Sequence, residues 1–213
     1  MVNETYKTPR KDRECTGEVV DRKSRFIAQI AHVESEDEAN AFIAAVSQRH
    51  YDARHNVPAW ILADGTKRCS DDGEPQRTAG LPILQVLEGA GMKNVCCVVT
   101  RYFGGTLLGP GGLIRAYTQA TQNALAQGDS DRSIATMTSV VQVDVDMEYS
   151  LYDQILHMAN GAGAHVLDTI YTDRVLLKLV FLEGEQKDFI AKTKEISAGK
   201  DLCFVHEPRF AEF

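Results

Sequence analysis

Residues 98–118 read VVTRYFGGTLLGPGGLIRAYT. The stretch joins a strongly apolar strand, Val95 through Val99, to a helix beginning near Gly111, and the loop between them holds five glycines and one proline in nine residues, 104–112. Glycine loses more conformational freedom on folding than any other residue, so such a cluster implies positive φ angles or a close approach to the backbone. Arg101 precedes the loop and Arg115 stands one turn into the helix. Two guanidinium groups then flank exposed N–H groups at a helix N-terminus, the pattern of an anion site. Gly-rich strand-to-helix connections also arise for purely structural reasons, with Arg115 paired to a neighbouring carboxylate. The spacing matches neither the dinucleotide fingerprint G-x-G-x-x-G nor a phosphate loop ending in G-K-[ST]. Nucleotide hydrolysis is not indicated, because the lysine that acts on a transferred phosphate is missing.

Just upstream, SDDGEPQRTAGLP (70–82) places three carboxylates, Asp71, Asp72 and Glu74, within four residues, broken by Gly73 and stopped by Pro75. Hard cations take carboxylate oxygens, yet the later ligands and closing Glu of a Ca²⁺ loop are absent. Two roles stay open: a metal loop, or a turn that caps a helix from Thr78 and orients Arg101 or Arg115. That helix reads Thr78 to Gly91 with Leu81, Leu84, Val86 and Leu87 apolar, and Pro82 is tolerable only in its first turn.

Further upstream, Ser35 to Tyr51 is the clearest helix. Ser35 caps it with Glu38 bonding back, and Ala39, Phe42, Ile43 and Val46 form one buried face. Arg54, His55 and Asn56 lead into a strand through Trp60 and Leu62, and Asp64-Gly65 signals a two-residue hairpin. A strand pair, 14–21 with 25–33, turns at DRKSR and places Arg22, Lys23 and Arg25 at its tip. Their interest depends on lying near Arg101.

Downstream, the helix from Leu113 to Gln127, closed by Gly128, presents Leu113, Ala116, Tyr117, Ala120, Ala124 and Leu125 as a stripe suited to packing on a sheet. Residues 128–137 are polar and read as a linker. The remainder orders as a strand (Val141, Val143, Val145), a helix (Ser150 to Asn160), a hairpin (His165 to Tyr171 and Val175 to Leu182, about Thr172 to Arg174), a helix (Gln186 to Ile196) and a strand (Leu202 to His206). This β-α-β-β-α-β order is that of a ferredoxin-like domain. The chain thus divides into residues 1–137 and 138–213, an α+β protein.

Residues 1–137 carry 16 Lys and Arg against 17 Asp and Glu, while residues 138–213 carry 7 against 13. Any nucleic-acid contact must therefore come from a local basic patch in the first part, since the field of the second repels phosphate. The five cysteines include no C-x-x-C pair, which suits reduced thiols in a cytoplasm. No apolar run is long enough to span a membrane. The N-terminus lacks an apolar signal core and reads as a polar start that frays.

Taken together, RYFGGTLLGPGGLIRAY (101–117), SDDGEPxxTAGLPIL (70–84) and KSRFIA (23–28) resemble the YigZ/IMPACT family over most of the chain. The resemblance implies an N-terminal domain of the ribosomal protein S5 domain 2-like type and a ferredoxin-like C-terminal domain similar to a domain of elongation factor G. It also implies a link to translation: eukaryotic IMPACT proteins act in its control under amino-acid starvation, through protein contacts that restrain a kinase pathway. Carried onto this sequence, the motif marks Arg25, Asp71, Asp72, Glu74, Arg101, Tyr102, Gly104, Gly105, Gly109, Gly111, Gly112, Arg115 and Tyr117. Gln76-Arg77 departs from the expected pair of small residues and adds a cation beside the acidic loop. Val57 follows His55-Asn56 where relatives often have cysteine, which argues against thiol chemistry there.

Three functions follow from these residues. In the first, a cytoplasmic, non-enzymatic protein holds RNA or a ribosomal component through Arg101, Arg115 and the glycine loop, with Arg22, Lys23, Arg25 and Arg54 in support, Tyr102 and Phe103 available to stack, and no cofactor. In the second, the loop cradles a phosphate ester while Asp71, Asp72 and Glu74 hold a divalent metal or act as a base with His55. In the third, the acidic C-terminal domain docks a basic protein partner.

Overall fold

The run Val95 to Val99 becomes the first five residues of a central strand buried on both faces. The computed structural model describes residues 5–213. It contains two compact units, residues 6–136, and residues 137–213 with Thr5. Along the chain the elements run β1 (Thr5–Pro9), β2 (Cys15–Asp21), β3 (Ser24–His32), α1 (Glu36–Arg49), β4 (His55–Ile61), β5 (Lys67–Cys69), α2 (Gly80–Gly89), β6 (Val95–Tyr102) and α3 (Gly109–Ser130). They continue as β7 (Ile134–Met147), α4 (Tyr149–Gly161), β8 (His165–Tyr171), β9 (Val175–Leu182), α5 (Gln186–Ile196), β10 (Cys203–Val205) and β11 (Arg209–Ala211).

In the first unit the sheet order is β2-β3-β6-β4-β5, antiparallel throughout. Helices α2 and α3 cover one face: Ile83, Leu87, Leu113 and Tyr117 pack with Phe26, Cys97 and Val99. Helix α1 covers the other, where Ala39 and Val46 meet Trp60, Cys96 and Val98. Alternate residues of β6 therefore enter different cores, which is why its sequence is apolar without alternation. All six residues of the stripe expected on α3 are buried.

Several local expectations are corrected. Gly128 does not end α3 but lies inside it; the residue is small there because a Cβ would come 2.5 Å from Cys15 Sγ. The helix and β7 between them take up most of the polar stretch 128–137. Ser35 Oγ accepts the Glu38 N–H (3.2 Å) as expected, but the Glu38 carboxylate reaches one residue further back, to the Glu34 N–H (2.7 Å). The β4–β5 connection is longer than two residues: Leu62 N–H bonds Thr66 O (2.8 Å), and Asp64 accepts from the Thr66 N–H (2.8 Å). The β2–β3 turn is the two-residue one, with Arg22 and Lys23 at φ 45° and 67°, the mirror-image turn that matches strand twist. The N-terminal stretch is a strand from Thr5, with Lys7 bonded to Gly91 O and Lys93 bonded to Lys7 O, each at 2.9 Å; residues 1–4 lie outside the described residues.

The second unit follows the expected β-α-β-β-α-β order, with sheet order β10-β7-β9-β8, and β11 as an additional strand on β7. Its core joins Val141, Val143 and Val145 to Ile155, Leu177, Leu179 and Phe189. Among the described residues no helix is long and apolar enough to cross a membrane.

All five cysteines are free; Cys15, Cys96 and Cys97 are buried and Cys69 is exposed. Burial pushes the Cys15 thiol up to about 11 and that of Cys96 up to about 12, and raises Cys97 too. Since the thiolate is the nucleophile, an aromatic disulfide reagent at pH 8 is expected to modify Cys69 first in the native protein, and Cys15, Cys96 and Cys97 only on unfolding. Rapid labelling of all five would contradict the burial.

Candidate functional site

Strand register decides which of the candidate residues meet. Arg101 lies opposite Phe26 on β3 and His55 on β4, so these three share the face covered by α2 and α3. Tyr102 lies opposite Arg25, so both point to the other face. There Arg25 forms a bidentate pair with Glu18 (2.6 and 2.8 Å), and Tyr102 bonds His50 Nδ1 (2.9 Å) and Asp52 (3.2 Å). The structure thus separates Arg25 and Tyr102 from Arg101, because successive strand residues face opposite sides.

The acidic turn is a clasp. Asp71 accepts backbone N–H groups of Arg77 (2.7 Å), Ala79 (3.1 Å) and Gly80 (2.9 Å), capping α2 from nine residues away. Asp72 accepts the Asn56 N–H at 2.6 Å. The turn needs positive φ at Asp72 (44°), Gly73 (81°) and Arg77 (61°), and leaves the Arg77 side chain exposed. Its three carboxylates do not converge, and among the described residues no three His, Cys, Asp or Glu come together as metal ligands.

What the clasp positions is Glu74. Its Oε1 accepts from Arg101 Nη1 and from the Tyr117 hydroxyl, each at 2.7 Å, and the two charged side chains are only 3% and 7% exposed. Burial first, and then the Glu74 charge and hydrogen bond, push the Tyr117 phenol far above its ordinary range. His55 Nδ1 bonds the Asp72 carbonyl at 2.6 Å; a carbonyl only accepts, so Nδ1 carries the proton. Its Nε2 lies 3.9 Å from Glu74 Oε1. The Arg101 guanidinium carbon stands 5.4 Å from the Phe26 ring centroid and 5.6 Å from that of Phe103, and Arg101 Nε is buried with no partner.

The glycines of the loop have different reasons. A Cβ on Gly104 would lie 2.1 Å from the Lys23 carbonyl carbon, so the Arg22–Lys23 turn seats directly on it. Gly105 and Gly109 hold φ of 89° and 72°, and a Cβ on Gly112 would meet Leu108 at 2.9 Å. Gly111 has neither a positive φ nor any atom within 4 Å of where its Cβ would stand; packing does not demand it, and its absence of side chain keeps the start of α3 bare. No side chain caps that start, and Pro110 occupies its first turn.

Between loop, clasp and helix start lies a cavity of about 330 Å³, lined by Arg54, His55, Glu74, Arg101, Phe103 and the first residues of α3 among others. Arg54 lies 5.4 Å from the Phe103 centroid, and Arg22 Nη1 bonds Leu107 O at 3.3 Å. Arg115 is exposed on α3. The expectation that the acidic turn orients Arg101 is met by Glu74, but sequence reasoning singled out neither Glu74 as the shared acceptor nor the hydroxyl of Tyr117 as its partner. Neither spacing nor periodicity signals a contact between residues 43 apart.

Residues 22–125 match the model of the Impact N-terminal domain, and residues 145–200 match that of a domain of unknown function, DUF1949. The chain is 46% identical over 186 residues to the IMPACT family member YvyE of Bacillus subtilis, covering 86% of this chain and 83% of that one. It is 35% identical over 182 residues to the IMPACT family member YigZ of Escherichia coli, covering 84% and 87%. A solved crystal structure of a hypothetical protein superposes with a TM-score of 0.58 at 32% identity, over 95% of this chain and 96% of that chain. With identity of this order running through both units, the chain belongs to the IMPACT family.

Proposed function

We propose that this is a non-enzymatic binding protein acting in the regulation of translation, and that it holds RNA or a ribosomal component at the glycine loop. The observation that carries the reading is the uncapped, bare start of α3, with Arg22 bonded to Leu107 O and Arg54 beside Phe103 next to it, Lys23 exposed on the turn that seats on Gly104, and Arg115 exposed further along the helix. Unpaired N–H groups and the positive end of the helix dipole attract phosphate, and the cations add to this locally against a net charge of −7. The family's connection with translation supports a ribosome-linked partner. Binding is favoured over catalysis because Asp71 and Asp72 hold backbone N–H groups and Glu74 is held by Arg101 and Tyr117. Arg101 belongs to the support of the site rather than to its surface.

The test is equilibrium binding to ribosomes and short RNAs at about 50 and 200 mM salt. With about four phosphate contacts on a single strand, affinity is expected to fall about 50-fold across that range. An Arg54→Ala/Arg115→Ala variant removes two contacts and is expected to show only a ~7-fold fall, with an unchanged circular dichroism spectrum. No binding at low salt, or binding indifferent to salt, would overturn the proposal.

A further inference from the structure

We infer that the cavity beside the glycine loop accepts a nucleoside monophosphate unit, base inward and phosphate at the start of α3. This rests on the reading of the loop as a phosphate site and names what the pocket next to it recognises.

The cavity's size, about 330 Å³, lies at the small end of ligand pockets, suited to one nucleotide rather than a helix of RNA. Pro75, Phe103, Leu107, Leu108, Pro110 and Leu113 give it apolar walls. The large apolar side chains Phe103 and Leu107 among them are exposed, at 37% and 80%. A flat, weakly polar ligand body would cover them.

Polar groups stand where a base edge and a phosphate need them. Glu74 and Arg101 line the same cavity as an ion pair whose Arg101 Nε is buried without a protein partner, and His55 lines it with Nε2 left as an acceptor, since its Nδ1 donates to the Asp72 carbonyl. The edge of a base offers an N–H donor that such an acceptor can take. The exposed Arg54 guanidinium beside Phe103 supplies a stacking surface, as Arg and aromatic planes do for unstacked bases. At the mouth, Gly109 and Pro110 belong to the cavity lining, and Gly111 leaves the first turn of α3 open to a phosphate. The buried ion pair with its unpartnered Arg101 Nε and the helix start are independent features, and residues of both line one cavity.

The experiment titrates the full chain with the four nucleoside 5′-monophosphates, the matching nucleosides, inorganic phosphate and single-stranded RNA hexamers, by calorimetry and by amide chemical shifts. At least one monophosphate is expected to bind, more than ~10-fold tighter than its nucleoside and than phosphate alone. Phe103→Ala is expected to weaken it about five- to 150-fold, the range for losing one stacked base, with the salt slope unchanged. Leu107→Ala, at a position too exposed to affect folding, is expected to weaken it in the same direction, and Gly111→Leu to weaken monophosphate and phosphate alike. If RNA binds with the steep salt dependence while monophosphates do not bind and Phe103→Ala and Leu107→Ala leave hexamer affinity unchanged, the cavity inference falls and the backbone reading stands. If phosphate binds as tightly as the monophosphates, the base contributes nothing and the inference also falls. If monophosphates bind and neither RNA nor ribosomes do, the cavity inference stands for a free nucleotide and the RNA reading falls.

Discussion

Glu74→Ala is expected to lower the stability of the first unit by about 3–5 kcal/mol, the range found when one partner of a buried ion pair is removed. The substitution leaves the Arg101 guanidinium charged and 7% exposed with no counter-ion, and strips the Tyr117 hydroxyl of its acceptor. Arg101 Nε already lacks a partner, so the substitution adds to a guanidinium that is already incompletely satisfied. Glu74→Gln keeps an oxygen for Tyr117 and is expected to be milder than the alanine variant. Arg101→Met on the Glu74→Ala background removes the stranded charge, and the double variant is expected to be more stable than Glu74→Ala alone. Urea unfolding curves of the four proteins check this. A loss below about 1 kcal/mol for Glu74→Ala would mean that the pair behaves as a solvated surface bridge.

Gly17→Ala is expected to have the second largest effect. A Cβ on Gly17 of β2 would lie 2.2 Å from the Ala124 nitrogen and 2.7 Å from the Ala120 carbonyl oxygen of α3. Both are backbone atoms, so no rotamer change relieves the overlap; strand and helix must separate. Overpacking costs about 1–3 kcal/mol and occasionally more, and with backbone on both sides the upper end, about 3 kcal/mol, is expected. Gly89→Ala is the control: nothing lies within 4 Å of its Cβ position on α2, and alanine there is expected to leave stability unchanged or raise it by up to about 1 kcal/mol. Equal melting temperatures for the two variants would contradict the close packing of α3 on β2.

The contrast between these two glycines shows how far a sequence can be read. Both are single letters in ordinary contexts, and only the position of α3 separates them. The glycine loop was legible because five glycines in nine residues exceed what any one turn needs. Yet the separate reasons for Gly104, Gly109 and Gly111 came from the Arg22–Lys23 turn, from a positive φ and from open space respectively. The acidic turn was legible as a cap for α2, whereas its division of labour was not. Asp71 and Asp72 are used on backbone N–H groups, and Glu74 alone turns inward.

From the sequence by itself came what depends on neighbours a few residues apart: the helix at Ser35 with its cap, the apolar central strand, the stripe on α3 and the β-α-β-β-α-β order of the second unit. Periodicity and capping act over one or two turns, so they survive without knowledge of the fold. Tertiary structure alone decided that Arg101, Glu74 and Tyr117 form one buried set while Arg25 and Tyr102 face away from it. Those contacts join residues 27 and 43 positions apart. They depend on strand register, where a slip of one residue exchanges the two faces, and on burial, which makes an ion pair out of charges that the sequence alone leaves at the surface.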